Sequence, residues 1–191
     1  MRDHPPRRCG ERDRGGRRSA RAELRTELAA LPRPQDRGRD RRARREIDRV
    51  LRRVDLDRLQ FHGDETEEQV ESVDLPVIKA IRGADPEAAE QYPGTMLLLD
   101  HPTEGGGRGK PWKWSDAAAL IETGCDVILA GGLDPDNVGG AIADLGDLLP
   151  WGVDVASGVE GAAHRKDAEK IKRFVLAVRA AEAPPKTDEP K

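Results

Sequence analysis

At 191 residues the chain is long enough for one domain with a sizeable core and short for two. Its net charge of −3 conceals a division: residues 1–45 hold 16 Arg against 7 acids, a balance of +9, while residues 46–191 hold 17 basic against 29 acidic side chains, a balance of −12. No stretch reaches the roughly 20 apolar residues of a membrane span, and the N-terminus lacks the apolar core of about 7–15 residues that a signal peptide needs, so a cytoplasmic protein is expected.

Residues 1–45 are expected to be a disordered or irregular segment. The first Lys of the chain is Lys79, so this basic stretch is built from Arg alone, among Pro, Gly and Ala. That bias is what a GC-rich reading frame produces when translated out of register, and the upstream nucleotide sequence tests the idea. Cys9 and Cys125 do not form a metal-ligand spacing and need not pair in a reducing compartment. No metal is expected.

Residues 46–183 read as one folded portion in which short Val, Ile and Leu runs alternate with helical patterns. "EIDRVLRRVDL" (46–56) places Ile47, Val50, Leu51 and Val54 on one helix face. "LDRLQF" (56–61) is the first strand, and "DETEEQVESV" (64–73) follows as a helix opened by acids. "PVIKAI" (76–81) leads to "DPEAAEQY" (85–92), with Asp85 as N-cap and Pro86 at the first helical position. "MLLLD" (96–100) precedes a glycine-rich loop and "WSDAAALIETG" (114–124), where Ser115 is the expected cap and Gly124 the stop. "DVILAGG" (126–132) runs into "DPDNVGGAIADL" (134–145), with Asp134 as the expected N-cap. "GVDVAS" (152–157) and the amphipathic "KDAEKIKRFVLAVRAAEA" (166–183) complete the set, and residues 184–191 are an expected disordered tail. Five strands alternating with helices fit an open doubly wound sheet or part of an eight-stranded barrel, and periodicity does not choose between them.

In either architecture ligands bind at the carboxyl ends of the strands. Those ends carry "FHGDE", Lys79 and Arg82, Asp100 with "HPTEGGGRG", "AGGLDPDN" and "ASGVEG". The last two expose backbone N–H groups among small residues, which suits a phosphate, although tight strand-to-helix turns alone account for such glycines. A carboxylate at the mouth of an apolar barrel is expected to have its pKa raised by desolvation, which makes Asp100 a candidate general acid. His62 either orients a sugar hydroxyl or bonds within its loop. Asp154 alternates with Val153 and Val155, so it faces the opposite side, toward the ligand mouth.

"LQFHGDET", "LPVIKAIR", "LLLDHP…GGGRGKPWKW", "VILAGGLDPDNV" and "GVDVASGVEG…KDAEKIKRFV" resemble, in order and spacing, the last five strands of the phosphoribosylanthranilate isomerases of tryptophan biosynthesis. The resemblance covers about residues 46–179. It implies a (βα)8 TIM-barrel fold, incomplete here, and an Amadori rearrangement of N-(5-phosphoribosyl)anthranilate without metal or organic cofactor. It assigns the general acid to Asp100, sugar contacts to Asp154 and His62, and phosphate-binding backbone to Gly131, Gly132, Ser157 and Gly158. The implied partner is a small-molecule phosphosugar, with the chain a monomer or homodimer, and no membrane partner.

Arg108, Lys113 and Ala156 depart from the family's usual residues. The larger departure is at the N-terminus, where the family's first three βα units are replaced by the Arg-rich segment. The family's general base is a cysteine ending the first strand, and the candidate here is Cys9 in "RRCGERD". It lies 53 residues before His62, about one βα unit closer than the family pattern, and is flanked by Arg rather than strand formers. The alternatives are a catalytically impaired fragment, a different phosphate-binding barrel enzyme, or a barrel remnant with a nucleic-acid-binding arm. The arm has no aromatic residue for base stacking, so nucleic acid is the less favoured partner.

Overall fold

The computed structural model describes residues 21–22, 45, 47–54, 56–102 and 112–182. Cys9 and the tail 184–191 lie outside the described residues, as does most of the Arg-rich segment.

Residues 47–51 form α1. It is followed by β2 (Leu59–Phe61), α2 (Glu67–Glu71), β3 (Val77–Arg82), α3 (Pro86–Gln91) and β4 (Met96–Asp100). Beyond residues 103–111 come a 3-10 turn (Trp114–Ala117), α4 (Ala118–Glu122), β5 (Val127–Leu129), α5 (Val138–Ala143), β6 (Gly152–Val153) and α6 (Ala168–Glu182). A two-residue strand, β1 (Arg21–Ala22), precedes them.

Local chemistry sets the helix starts. Thr66 and Gln69 exchange side-chain-to-backbone bonds in a capping box before α2. Asp85 accepts from the Glu87 N–H and Pro86 opens α3, as the sequence predicts. One expected cap is absent: Ser115 caps nothing, because the chain enters α4 through the 3-10 turn, whose first bond runs from Asp116 N–H to the Lys113 carbonyl. Asp134 makes the bonds expected of a cap, its side chain accepting from the Asp136 and Asn137 N–H groups and its carbonyl from Val138 N–H, and the regular turns of α5 follow from Val138.

All strands pair in parallel, in the order β1-β6-β5-β4-β3-β2. With β1 and β2 at the two ends, the sheet formed by the described residues is open. Arg21 pairs with Gly152 and Ala22 with Val153, the described part of a segment whose sequence shows no β-branched run. Backbone pairing against an existing strand edge does not require β-branched side chains, which is why propensity gave no sign of it.

The two faces of the sheet decide between the candidate architectures. Phe61, Leu97, Leu99, Val127, Leu129 and Val153 pack in one cluster with helix residues such as Val70, Leu120, Ile142, Phe174 and Val178. The alternate residues Ile78, Ala80, Met96, Leu98, Ile128 and Ala130 form a second cluster, joined by Trp151 and, among the described residues, by no helix residue. A doubly wound sheet carries helices on both faces, whereas a barrel keeps them outside and fills its interior with strand side chains. The described helices therefore surround the outer face of an unclosed barrel. Leu97, Leu99 and Leu129 are fully buried under them, each contributing about 1.5–3 kcal/mol of burial. Among the described residues, no helix is long and apolar enough to cross a membrane.

Candidate active site

The same alternation that divides the cores aims the polar strand ends. Met96 and Leu98 face the inner cluster, so Asp100, two residues on, stands at its upper rim. Phe61 faces the helices and His62 follows it on the opposite side. Val153 likewise faces the helices, which places Asp154 with the inner set. The Asp154 N–H is bound to the Leu129 carbonyl at 2.7 Å, extending the β5–β6 ladder past the last strand residue.

The structure brings His62 and Asp100 together across β3, with His62 Nε2 3.2 Å from Asp100 Oδ2. The other carboxylate oxygen accepts from the His101 N–H at 2.7 Å. This arrangement overturns the expected direction of the Asp100 pKa. The hydrogen bond from His62 holds the carboxyl below its ordinary range, helped by the His101 N–H, and outweighs the desolvation that pushes the other way. The His62 imidazole is raised above its ordinary value, chiefly by the same hydrogen bond and against its own desolvation. A proton shared by the couple thus rests on His62, one hydrogen bond from the carboxylate.

The glycine loops have a different construction. Gly131 and Gly132 adopt positive φ, 76° and 86°. A Cβ on Gly131 would lie 2.5 Å from the His101 nitrogen and 2.9 Å from Trp112 Nε1. Two indoles ahead of α4, those of Trp112 and Trp114, donate to the Ala130 carbonyl at 3.0 Å. Asn137 Nδ2 donates to the Gly132 carbonyl and its Oδ1 accepts from the Asp134 N–H, closing the turn. After β6, Ser157–Val159 form a 3-10 turn in which Ser157 is exposed. A Cβ on Gly158 would lie 1.9 Å from the Leu133 carbonyl oxygen. These contacts are reason enough for glycine at 131 and 158: backbone meets backbone there, and the two loops are locked side by side.

Two charged residues were not given their place by the sequence. Lys79, noted only as lying near a strand end, is 2% exposed on the helix side of β3 and pairs with Glu65 at 3.1 Å. A lone Lys inside the apolar run "VIKAI" was the available signal, since a buried ammonium needs a partner. Among the described residues, no group of three His, Cys, Asp or Glu side chains is arranged to hold a metal ion.

Comparison with known proteins bears on what this arrangement is for. Residues 42–177 match the family described as N-(5′-phosphoribosyl)anthranilate (PRA) isomerase. The N-(5′-phosphoribosyl)anthranilate isomerase of Pseudomonas putida (strain GB-1) is 47% identical over 146 residues, spanning 73% of this chain and 68% of that protein. The crystal structure of phosphoribosyl anthranilate isomerase from Thermotoga maritima superposes with a TM-score of 0.62 at 33% identity, covering 71% of this chain and 68% of that one. A second structure of such an isomerase is a complex with reduced 1-(o-carboxyphenylamino)-1-deoxyribulose 5-phosphate. It matches with a TM-score of 0.59 at 30% identity, covering 71% of this chain and 66% of that chain. With the family match spanning well over half of the sequence and the barrel arrangement of strands agreeing, the chain belongs to the phosphoribosylanthranilate isomerase family.

Proposed function

We propose that the chain catalyses the Amadori rearrangement of N-(5′-phosphoribosyl)anthranilate to 1-(2-carboxyphenylamino)-1-deoxyribulose 5-phosphate, a step of tryptophan biosynthesis. The observation that carries the reading at the level of residues is the His62–Asp100 couple, at the carboxyl ends of two strands and on the inner face of the sheet.

The rearrangement begins when the ribose ring oxygen takes a proton as the C1′–O bond breaks, while the nitrogen lone pair forms a C=N bond. The proton comes from the couple: Asp100 presents it to the ring oxygen and His62 is its reservoir. A base then removes the C2′ proton, the electrons neutralise the iminium, and an enaminol results. Protonation at C1′ and loss of the hydroxyl proton give the ketone, so no atom is gained or lost. Cys9, the sequence's candidate for the base, lies outside the described residues. Asp154 is assigned to the sugar hydroxyls. The phosphate is assigned to backbone N–H groups around Gly131, Gly132, Ser157 and Gly158, supported by the positive φ of the first two and the side-by-side placement of the loops.

Loss of anthranilate fluorescence from phosphoribosylanthranilate tests the reaction directly. Turnover by purified protein is the expected result, and no turnover at any pH between 6 and 9 sinks the assignment.

A further inference from the structure

The outer side of β3 holds a polar cluster that the reaction does not touch and the family resemblance did not assign. Lys79 Nζ donates to the Gly63 carbonyl at 2.6 Å, to Glu65 Oε2 at 3.1 Å and to the Ala80 carbonyl at 3.1 Å. Glu65 Oε2 also accepts from the Gly63 N–H at 3.0 Å. The Tyr92 hydroxyl donates to the Glu65 carbonyl at 2.7 Å, and Lys79 Nζ stands 5.5 Å from the centre of the Tyr92 ring. Glu65 and Lys79 are 8% and 2% exposed.

Both backbone polar groups of Gly63, the residue directly after His62, are therefore gripped by this one ion pair. A Cβ on Gly63 would lie 2.8 Å from Glu65 Oε1, so a side chain there would press on the carboxylate of the pair. Stability alone is a weak reason for such a cluster, because replacing a buried ion pair by apolar groups of similar volume is often neutral or stabilising. Its geometric effect is specific: it fixes the peptide that sets where the exposed His62 ring sits.

We infer that Glu65, Lys79 and Tyr92 are positioning residues, a clamp on the Gly63 peptide that holds the His62 ring within hydrogen-bond reach of Asp100. The inference rests on the role proposed for the His62–Asp100 couple, and it adds the three residues behind that couple. The charged groups acting on the His62 ring are Asp100 at the end of β4, which raises its pKa, Lys79 on β3, which lowers it, and Glu65 on the same turn, which raises it. The direct influences of Lys79 and Glu65 oppose each other. Removing both together leaves the Asp100 contact as the quantity under test.

The experiment is an NMR titration of the His62 ring in the full chain, assigned with His62→Gln, comparing wild type with Lys79→Met/Glu65→Leu. The double variant leaves no buried charge unpaired. A clamp predicts that the His62 pKa falls back toward the ordinary imidazole value while Tm is kept, and that kcat/KM drops roughly 10- to 100-fold. Tyr92→Phe, which removes one hydroxyl and no charge, should shift the same titration in the same direction by less. An unchanged His62 titration in both folded variants overturns the inference. Because the titration needs no turnover, an inactive wild type would count against the proposed function and leave this test standing.

Discussion

The two halves of the site are held in place by different means. On the β2 side, charge does the positioning: a buried carboxylate and ammonium grip the N–H and the C=O of Gly63, and the residue before it meets Asp100 at 3.2 Å. On the β5 and β6 side, absence of side chain does it. Gly131 and Gly158 let backbone approach backbone to distances that no Cβ tolerates. The His62–Asp100 couple can therefore respond to pH, whereas the glycine contacts at 131 and 158 respond to shape. That division matches the tasks proposed for them, moving a proton in one and seating a dianionic group in the other.

The largest expected effect breaks the charged half. Asp100→Asn should lower kcat/KM by about 10²–10⁴-fold, the usual contribution of a general acid, with little change in Tm. If most of the rate survives in steady-state assays of folded protein, Asp100 does not deliver the proton. The next breaks the glycine half. Gly158→Ala forces a Cβ into the Leu133 carbonyl and should destabilise the fold by about 1–3 kcal/mol in urea melts, with loss of affinity for the phosphosugar. A stability equal to wild type would show that the loops are not packed as described.

The pH dependence sharpens the contrast. His62 is raised, so its proton persists above the ordinary imidazole value; kcat/KM should fall about tenfold per unit once pH passes the raised value. The stability from the couple follows the same signs. It is complete below the ordinary imidazole pKa and above the ordinary carboxylate pKa, and is lost as pH rises through the His62 value or falls through that of Asp100. In His62→Gln the high-pH decline of kcat/KM should vanish, and its persistence would assign the decline to another group. The smallest effect is at the turn that follows the clamp: Thr66→Ala removes half of the capping box and should cost about 1 kcal/mol in chemical denaturation.

Much of this was legible from the sequence because strands alternate. Asp100 after "MLLL" and Asp154 between two valines declared their faces by counting in twos, and the barrel ends they occupy follow from topology. The pairing of His62 with Asp100 was not legible, since β2 and β4 are separated by β3 and no local pattern reports a contact across an intervening strand. Its consequence, a lowered rather than raised Asp100 pKa, was missed for that reason: burial was foreseeable and the hydrogen-bond donor was not. Ser115 failed as a cap because the chain enters α4 through a 3-10 turn, whereas Asp134 capped its turn as its sequence position suggested. Glu65 was visible only as one acid among several in "HGDETEE".

The Ala130 carbonyl spends its two lone pairs on two indoles. Trp112 and Trp114 are thereby tied to the end of β5, beside the end of β4 that carries Asp100. Replacing either indole leaves that carbonyl one donor short, so one backbone oxygen makes the identities of two side chains depend on each other.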